Sequence, residues 1–573
     1  MKILLKVSAV VFMAIALVAC NPLKKMDKYA ESVKYSVTPD PLEMHGDSVA
    51  VSVTGKFPPK YFHKLATVVA KPVLKNAEGE VIKEFKEITL LGTDADGDGQ
   101  KIDFEKGGSF TYDDKVAYDP SMENVTMFVN AVGSFKKKTQ EFESKKIGDG
   151  TKTTPYWVQI DAKPILAKDN FKKIIPKSIK AEINFNIQSS QVQSAELRQD
   201  DMKAVNAFIA EGKEKAWVFK GASFSGYASP DGEMALNDNL ANDRAKNARK
   251  AVERQLNRKK IAEAKADGFY TEIGKGEDWD GFKTAMGSSD IKDKDLILRV
   301  LSMYSDNTKR EQEIKNMAAT YVELSDKILP ALRRTQITLN ADEMARTDEE
   351  IQALSKSNPD TLSIEELLYG ATLSNDIDEK MRYFQLAKKQ YPKDWRGHNN
   401  VGYIYVLKND MAAAAKEFQA AADVEKNSTV SNNLGVVGLY DGNVSAAKDM
   451  FTAAAGAGSE VDYNLGIIAI KEGSYATAVS KMGSENTLNS GLAKLLNGDN
   501  EGSLKAIDAS DDKETAAGYY LKAVVGARTG NKDLMVKNLK SAIAVDGALK
   551  TKAANDAEFI SFREDVAFTD VIK

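Results

Sequence analysis

Between Lys34 and about residue 165, apolar and polar residues alternate with a period of two. Examples are Tyr35-Ser36-Val37, Val49-Ala50-Val51-Ser52-Val53, Thr67-Val68-Val69 and Val81-Ile82. Short β-branched runs broken by Gly, Pro, Asn and Asp predict antiparallel strands, and the pattern implies an all-β, immunoglobulin-like sandwich over 33–165. Met127-Phe128-Val129 and Tyr156-Trp157-Val158 read as its later strands. From 170 to 341 the period changes repeatedly. Residues 181–187 alternate, 199–209 are amphipathic with a helical period, and 216–219 are extended again. A Gly/Pro turn at 226–232 then leads into a long charged helix. Further strands are expected at 269–273 and 334–339, separated by a helical insertion at about 279–332. This is an α+β pattern. Residues 342–357 read as a linker, 358–550 as helical, and 551–573 as a C-terminal tail.

The helical part repeats itself. Asn399-Asn400-Val401-Gly402 recurs as Asn432-Asn433-Leu434-Gly435 and as Tyr463-Asn464-Leu465-Gly466, at spacings of 33 and 31 residues. Each copy is followed by a polar break, then a small residue (Ala414, Ala447, Ala478), then a large one four positions later (Phe418, Phe451, Met482). This helix-turn-helix unit resembles the tetratricopeptide repeat and implies an all-α solenoid. Its Gly and Ala let paired helices approach, and its large apolar residue fills the space between neighbours. Degenerate copies flank the three: residues 363–392, opened by a Ser363/Glu366 capping box, then 491–507 and 519–543. Asn400, Asn433 and Asn464 share one register. An Asn there can bond a peptide backbone as donor and acceptor, or can bond within and between repeats. Stacked repeats imply a concave groove for an extended peptide or partner helix.

The amino end has a separate logic. Lys2 and Lys6 precede an uncharged, mostly apolar run from Val7 to Ala19. Thirteen helical residues span about 20 Å, short of a hydrocarbon core of about 30 Å, so the layout is that of a secretory signal over 1–19. Leu17-Val18-Ala19-Cys20 resembles a bacterial lipobox, which implies acylation of Cys20 (the one Cys in the chain) and a lipidated linker over 20–32. Stable anchoring takes more than one acyl chain, as such lipoproteins carry. Asn21 in place of Asp implies an outer-membrane destination. Pro22-Leu23-Lys24-Lys25, rather than an acidic cluster, implies the periplasmic face.

In the middle of the chain, Gly226, Gly232, Asn237, Leu240, Arg244 and Ala245 fall on G-x-T-D-x-x-G…N-x-x-L-S-x-x-R-A. Residues 183–256 therefore resemble the OmpA-like, peptidoglycan-associated family. In that family an Asp three residues after the first Gly joins the Arg in holding the zwitterionic end of diaminopimelate. Ser229 stands at that position here, and a hydroxyl cannot neutralise an ammonium. The resemblance makes Ser229, Asp231 and Arg244 candidates for peptidoglycan contact. The alternative is that Arg244 pairs locally with Glu or Asp and the fold serves only as a module.

Composition removes whole classes of function. With one Cys and three scattered His (His45, His63, His398), little material exists for thiol, His-based or zinc chemistry. A net charge of −4 gives no bulk attraction for nucleic acid. Asp94, Asp96, Asp98 and Glu105 match the calcium-loop spacing D-x-[DN]-x-[DN]-G-x5-E, but the flanks look like strands, and an Asp/Gly-rich hairpin turn explains the same letters better without metal. Near Gly276–Thr284 a phosphate-loop pattern fails, because Phe282 stands where the Lys belongs. Calcium is thus the one cofactor the sequence suggests, and no enzyme is indicated.

The parts together predict a non-catalytic lipoprotein of the outer membrane, facing the periplasm. It would recruit unidentified envelope proteins through its repeats and contact peptidoglycan through its centre. The order lipid, sandwich, OmpA-like unit, repeats is similar to accessory lipoproteins of Bacteroidetes envelope machines. Two other classes fit: a cell-wall tether, and a surface-exposed glycan-binding lipoprotein.

Overall fold

The computed structural model describes residues 21–292, 294–316 and 318–573. The signal expected at 1–19 and the acylation expected at Cys20 lie outside the described residues. The chain divides into two units. One joins the residues up to Ala167 with Ala387–Lys573, and the other is Lys168–Leu386.

The described part of the first unit opens on a short helix, Pro22–Lys28, within the lipidated linker expected over 20–32. Leu23 and Met26 recur on one face and are buried in the β-rich core, which is why the segment is ordered. Two sheets enclose that core. In the first, Ser48–Phe57 is central, flanked by Lys34–Thr38 and Leu42–His45 on one side and Gly108–Ala117 on the other. In the second, Thr67–Lys75 and Thr126–Phe135 pair antiparallel through nine residues. Alternation does its expected work along Ser48–Phe57, where Val49, Val51, Val53 and Phe57 point inward.

The sandwich expected over 33–165 ends earlier. Its last strand is Thr151–Lys152, and Thr154–Trp157 is a 3-10 turn, not a strand. Residues 158–167 then run extended without any strand partner.

From Trp395 onward, helices alternate in antiparallel pairs: Trp395–Leu407 with Met411–Val424, Ser428–Tyr440 with Val444–Ala453, Ser459–Lys471 with Tyr475–Met482, Leu488–Leu496 with Asn500–Asp508, and Ala516–Arg528 with Lys532–Val545. The repeat glycines set the intra-pair spacing. A Cβ at Gly402 would lie 2.6 Å from Phe418, at Gly435 2.7 Å from Phe451, and at Gly466 2.6 Å from Met482. The expected tail over 551–573 is instead a structured cap. Phe559 and Phe568 are fully buried against the last pair, and Asp556 accepts the Tyr520 hydroxyl at 2.7 Å.

The second unit holds a four-stranded sheet in the order Ile174–Asn184, Arg334–Met344, Val218–Ala228, Tyr270–Glu277. Its one parallel pair is Val218–Ala228 with Tyr270–Glu277, joined by the 25-residue helix Met234–Arg258. That helix and Asp200–Glu214 bury their apolar stripes against the sheet. Helices between Trp279 and Leu332 form a separate small core around Phe282, Met286 and Leu329. Residues 342–357, expected as a linker, complete the last strand and form the helix Asp348–Ser357. Its start is fixed by a Thr347/Glu350 capping box that the sequence reading passed over.

Candidate functional site

The first helix of each of the first four repeat pairs carries an Asn two residues before its Gly: Asn400/Gly402, Asn433/Gly435, Asn464/Gly466 and Asn489/Gly491. Two residues are roughly 200° around a helix. The Gly therefore faces its partner helix while the Asn faces away, into the groove. These amides are buried, so each needs partners.

Their partner is the chain's own segment 159–167. Asn489 accepts from the Gln159 N–H (2.8 Å) and donates to the Gln159 carbonyl (2.9 Å). Asn464 does the same with Lys163 (2.7 and 2.9 Å), Asn433 with Ile165 (2.7 and 2.8 Å), and Asn400 with Ala167 (2.8 and 2.9 Å). The segment thus runs opposite to the order of the repeats. Every gripped residue is odd-numbered, as a strand with period two requires. Pro164, which lacks an N–H, sits at an even position where no bond is needed.

A second row of amides braces the first. Asn399 donates to the Ile165 carbonyl (3.2 Å) and Asn432 to that of Lys163 (3.0 Å), while Asn433 bonds Asn399 (2.8 Å) and Asn464 bonds Asn432 (3.0 Å). Side chains add specificity. Ile165 and Ala162 join the repeat core, Trp157 stacks on Tyr520 with ring centres 4.8 Å apart, and Lys163 lies over the Tyr463 ring while pairing with Glu485. Asp161 accepts from Tyr463 Oη and from Asn489 Nδ2, each at 2.7 Å, and burial raises its pKa above the usual carboxylate range despite those bonds. Asn399, Asn432 and Tyr463 entered the sequence reading only as letters of the repeat motif, without a binding role, and Asn489 and Asp161 did not enter it. The Asn-x-Gly register carried the signal for Asn489.

The central candidates assemble differently from the resemblance. Arg244 is 1% exposed, and its guanidinium is consumed by backbone carbonyls: Ser189 (3.0 Å), Tyr227 (2.9 Å) and Asn186 (3.3 Å). Burial, with the nearby Arg333 cation, pulls its pKa down to about 10. Asp231 instead accepts from the Ser229 hydroxyl and pairs with Arg333 Nη2 at 3.2 Å, and Arg333 Nε reaches Ser229 Oγ at 3.0 Å. The acid–Arg244 clamp is therefore not formed, and neither is a local carboxylate pair with Arg244. The reason is Arg333, at the entry to the last strand, which captures the acid first. Asn237 closes the turn by donating to the Ser229 and Gly232 carbonyls.

Among the described residues no group of three or more acidic, His or Cys side chains is placed to hold a metal. Asp94, Asp96, Asp98 and Glu105, the calcium candidates of the sequence, form no such group there. Residues 93–99 form a short connection between the parallel strands Ile88–Gly92 and Gln100–Ile102, and Glu105 lies beyond them in the next turn. The Lys101 ammonium donates to the Ala95 carbonyl within that loop. Nor, among the described residues, is any helix long and apolar enough to cross a membrane.

No protein-family model matches the chain, and no curated protein matches it. Among solved structures it is similar to Pseudomonas aeruginosa PilF at 14% identity, over 38% of this chain and 99% of that one, with a TM-score of 0.29. It is similar to YrrB, described as a tetratricopeptide-repeat protein with an unusual peptide-binding site (18% identity, 36% and 99% coverage, TM-score 0.22). A tetratricopeptide-repeat protein from Parabacteroides merdae gives 13% identity, 43% and 99% coverage, and a TM-score of 0.27. The chain spans 45% of the matched chain in the Cut9–Hcn1 structure, at 14% identity over 39% of its own length, with a TM-score of 0.30. The stacked helix pairs and their contacts between a Gly and a large apolar side chain make the C-terminal region a tetratricopeptide-like solenoid.

Proposed function

We propose that this chain is a non-catalytic scaffold, anchored by acylated Cys20 in an outer membrane and facing the periplasm, that presents protein-binding surfaces around an internally clamped core. The asparagine ladder on 159–167 carries this reading. The repeats are built to hold an extended backbone, and the backbone they hold is the chain's own. A groove so filled works as a clasp between the β-rich region and the repeats, and recruitment of envelope proteins falls to the outer faces of the helix pairs. Photo-crosslinking from Leu407 and Met450, both exposed, tests it in intact cells. Adducts with envelope proteins are expected, and a labelled chain with only cytosolic adducts, or none, would refute the role.

The OmpA-like reading of the centre is supported by the strand–helix–strand–helix–strand order and by Gly226, where a Cβ would lie 2.0 Å from the Ala241 carbonyl. The occupied Arg244 speaks for a retained fold and against cell-wall tethering as the main task.

A further inference from the structure

We propose that a lysine-lined cleft on the β-rich region binds the phosphate of anionic lipid headgroups. Two adjoining cavities, about 210 and 630 Å³, share Ser32, Pro58 and Pro59. Lys25 and Lys60 line the smaller one, and Lys34, Lys56 and Lys106 the larger. All five lysines are exposed, and the described lining includes no Asp or Glu, in a chain whose net charge is −4.

The backbone forces this charge together. Lys34 and Lys56 are direct partners in the antiparallel register, and like charges so placed oppose pairing unless an anion lies between them. Ser109 stands opposite Lys56 on the other side and offers a hydroxyl to the same cleft. Lys60 adopts a left-handed backbone (φ +65°), held by its N–H on the Phe104 carbonyl, a conformation that costs free energy for a residue with a side chain. The neighbouring carboxylates each have a partner outside the lysine ammonium groups of the cleft. Glu31 pairs with Lys145 (3.2 Å), Asp27 accepts from Gln140 (3.4 Å), and Asp103 accepts from the Lys106 N–H (2.7 Å).

Tetrahedral, multiply charged oxyanions suit several converging ammonium groups, and phosphate is the common one. The lipid source follows from position and rests on the anchoring reading above: Lys25 lies five residues after Cys20, so a bilayer holding the acyl chains is within reach. Half-exposed Tyr29 at the rim has the amphipathic character of residues that settle at headgroup level.

The test uses a chain beginning at Asn21, which carries no acylation site, so its outcome is independent of palmitate incorporation at Cys20. It is expected to co-sediment with vesicles of phosphatidylethanolamine mixed with phosphatidylglycerol, to be released by salt, and to ignore phosphatidylcholine. The triple variant K34E/K56E/K106E should partition at least ~100-fold more weakly, since each juxtamembrane lysine contributes about fivefold. A folded K448E/K481E/K505E control should bind as the parent does. A glutamine version of the triple variant guards against misfolding, with circular dichroism confirming the fold. Equal partition of parent and triple variant would overturn the site. Stabilisation by inorganic phosphate without vesicle binding would overturn the lipid as its source.

Discussion

Asn433 and Ile165 meet as two residues of neighbouring strands would, although one is on a helix: the Ile165 N–H donates to Asn433 Oδ1 at 2.7 Å and Asn433 Nδ2 donates to the Ile165 carbonyl at 2.8 Å. A side-chain amide here does the work of a backbone amide. Replacing Asn400, Asn433 and Asn464 together by Ala removes six such bonds and strands buried peptide groups, each costing about 1–3 kcal/mol when left unpaired. The expected outcome is a destabilisation of several kcal/mol in urea and loss of hydrogen-exchange protection at Ile165 and Ala167. Amides that stay protected in the triple variant would show that the ladder is not what holds the segment.

Two glycines three residues apart should respond oppositely to alanine. A Cβ at Gly435 would lie 2.7 Å from the Phe451 ring, whereas one at Gly438 would meet nothing closer than Ala447 Cβ at 3.9 Å. Gly435→Ala should cost about 1–3 kcal/mol by overpacking, with Phe451→Leu recovering part of it. Gly438→Ala should be neutral or stabilise by up to about 1 kcal/mol, since the helix favours Ala. Thermal unfolding of the two variants side by side checks the sign.

The same comparison explains what could be read from the letters alone. Repeat glycines and their large partners recur at fixed spacing, so the helix pairs were legible, as were the sheet-facing positions of Ser48–Phe57. The occupant of the groove was not. Residues 159–167 alternate like a strand, yet their partners are side chains 233 to 330 residues away, a distance no local period encodes. Carboxylate spacing at 94–105 was visible, but not the Lys101 ammonium at the Ala95 carbonyl. Likewise Arg244 was visible and Arg333, which takes Asp231 from it, was not, because the helical insertion separates them along the chain.

Glu311 supplies a pH dependence. Glu277, beside it, accepts from Asn237 Nδ2 (3.0 Å) and Trp279 Nε1 (2.8 Å). Burial first, then its bond to Glu277 and that residue's charge, push the Glu311 pKa up to about 8; Lys315 opposes the rise and Asp231 adds to it. In the unfolded chain the group titrates near 4.5. The folded state therefore binds the extra proton between those values, and the associated stability is complete below about pH 4.5 and lost as pH rises through 8. Exchange protection of the helix Asn307–Asn316 should fall across that window, and Glu311→Gln should flatten the dependence and stabilise the helix at the alkaline end. An unchanged profile in the Gln variant would remove Glu311 as the cause.

Arg244 separates a structural from a binding role. Its three donors satisfy the carbonyls of Ser189, Tyr227 and Asn186, and nothing nearby could replace them. Arg244→Ala should cost about 3 kcal/mol or more, since several buried acceptors lose charge-assisted bonds at once. Arg244→Lys should recover only part, because an ammonium on a flexible stem cannot fan donors to three carbonyls as a planar guanidinium does. Ser229→Asp, which restores the acid of the OmpA-like pattern, should not create a clamp. The new carboxylate would sit beside Asp231, which its predecessor already hydrogen-bonds, and would compete for Arg333 while Arg244 remains spent. Muropeptide retention should stay at the parent's level in the Asp variant, together with a lower melting temperature. Strong retention gained by that one substitution would mean that Arg244 can leave its carbonyls for a ligand, and that the centre of this chain is a cell-wall site one residue short.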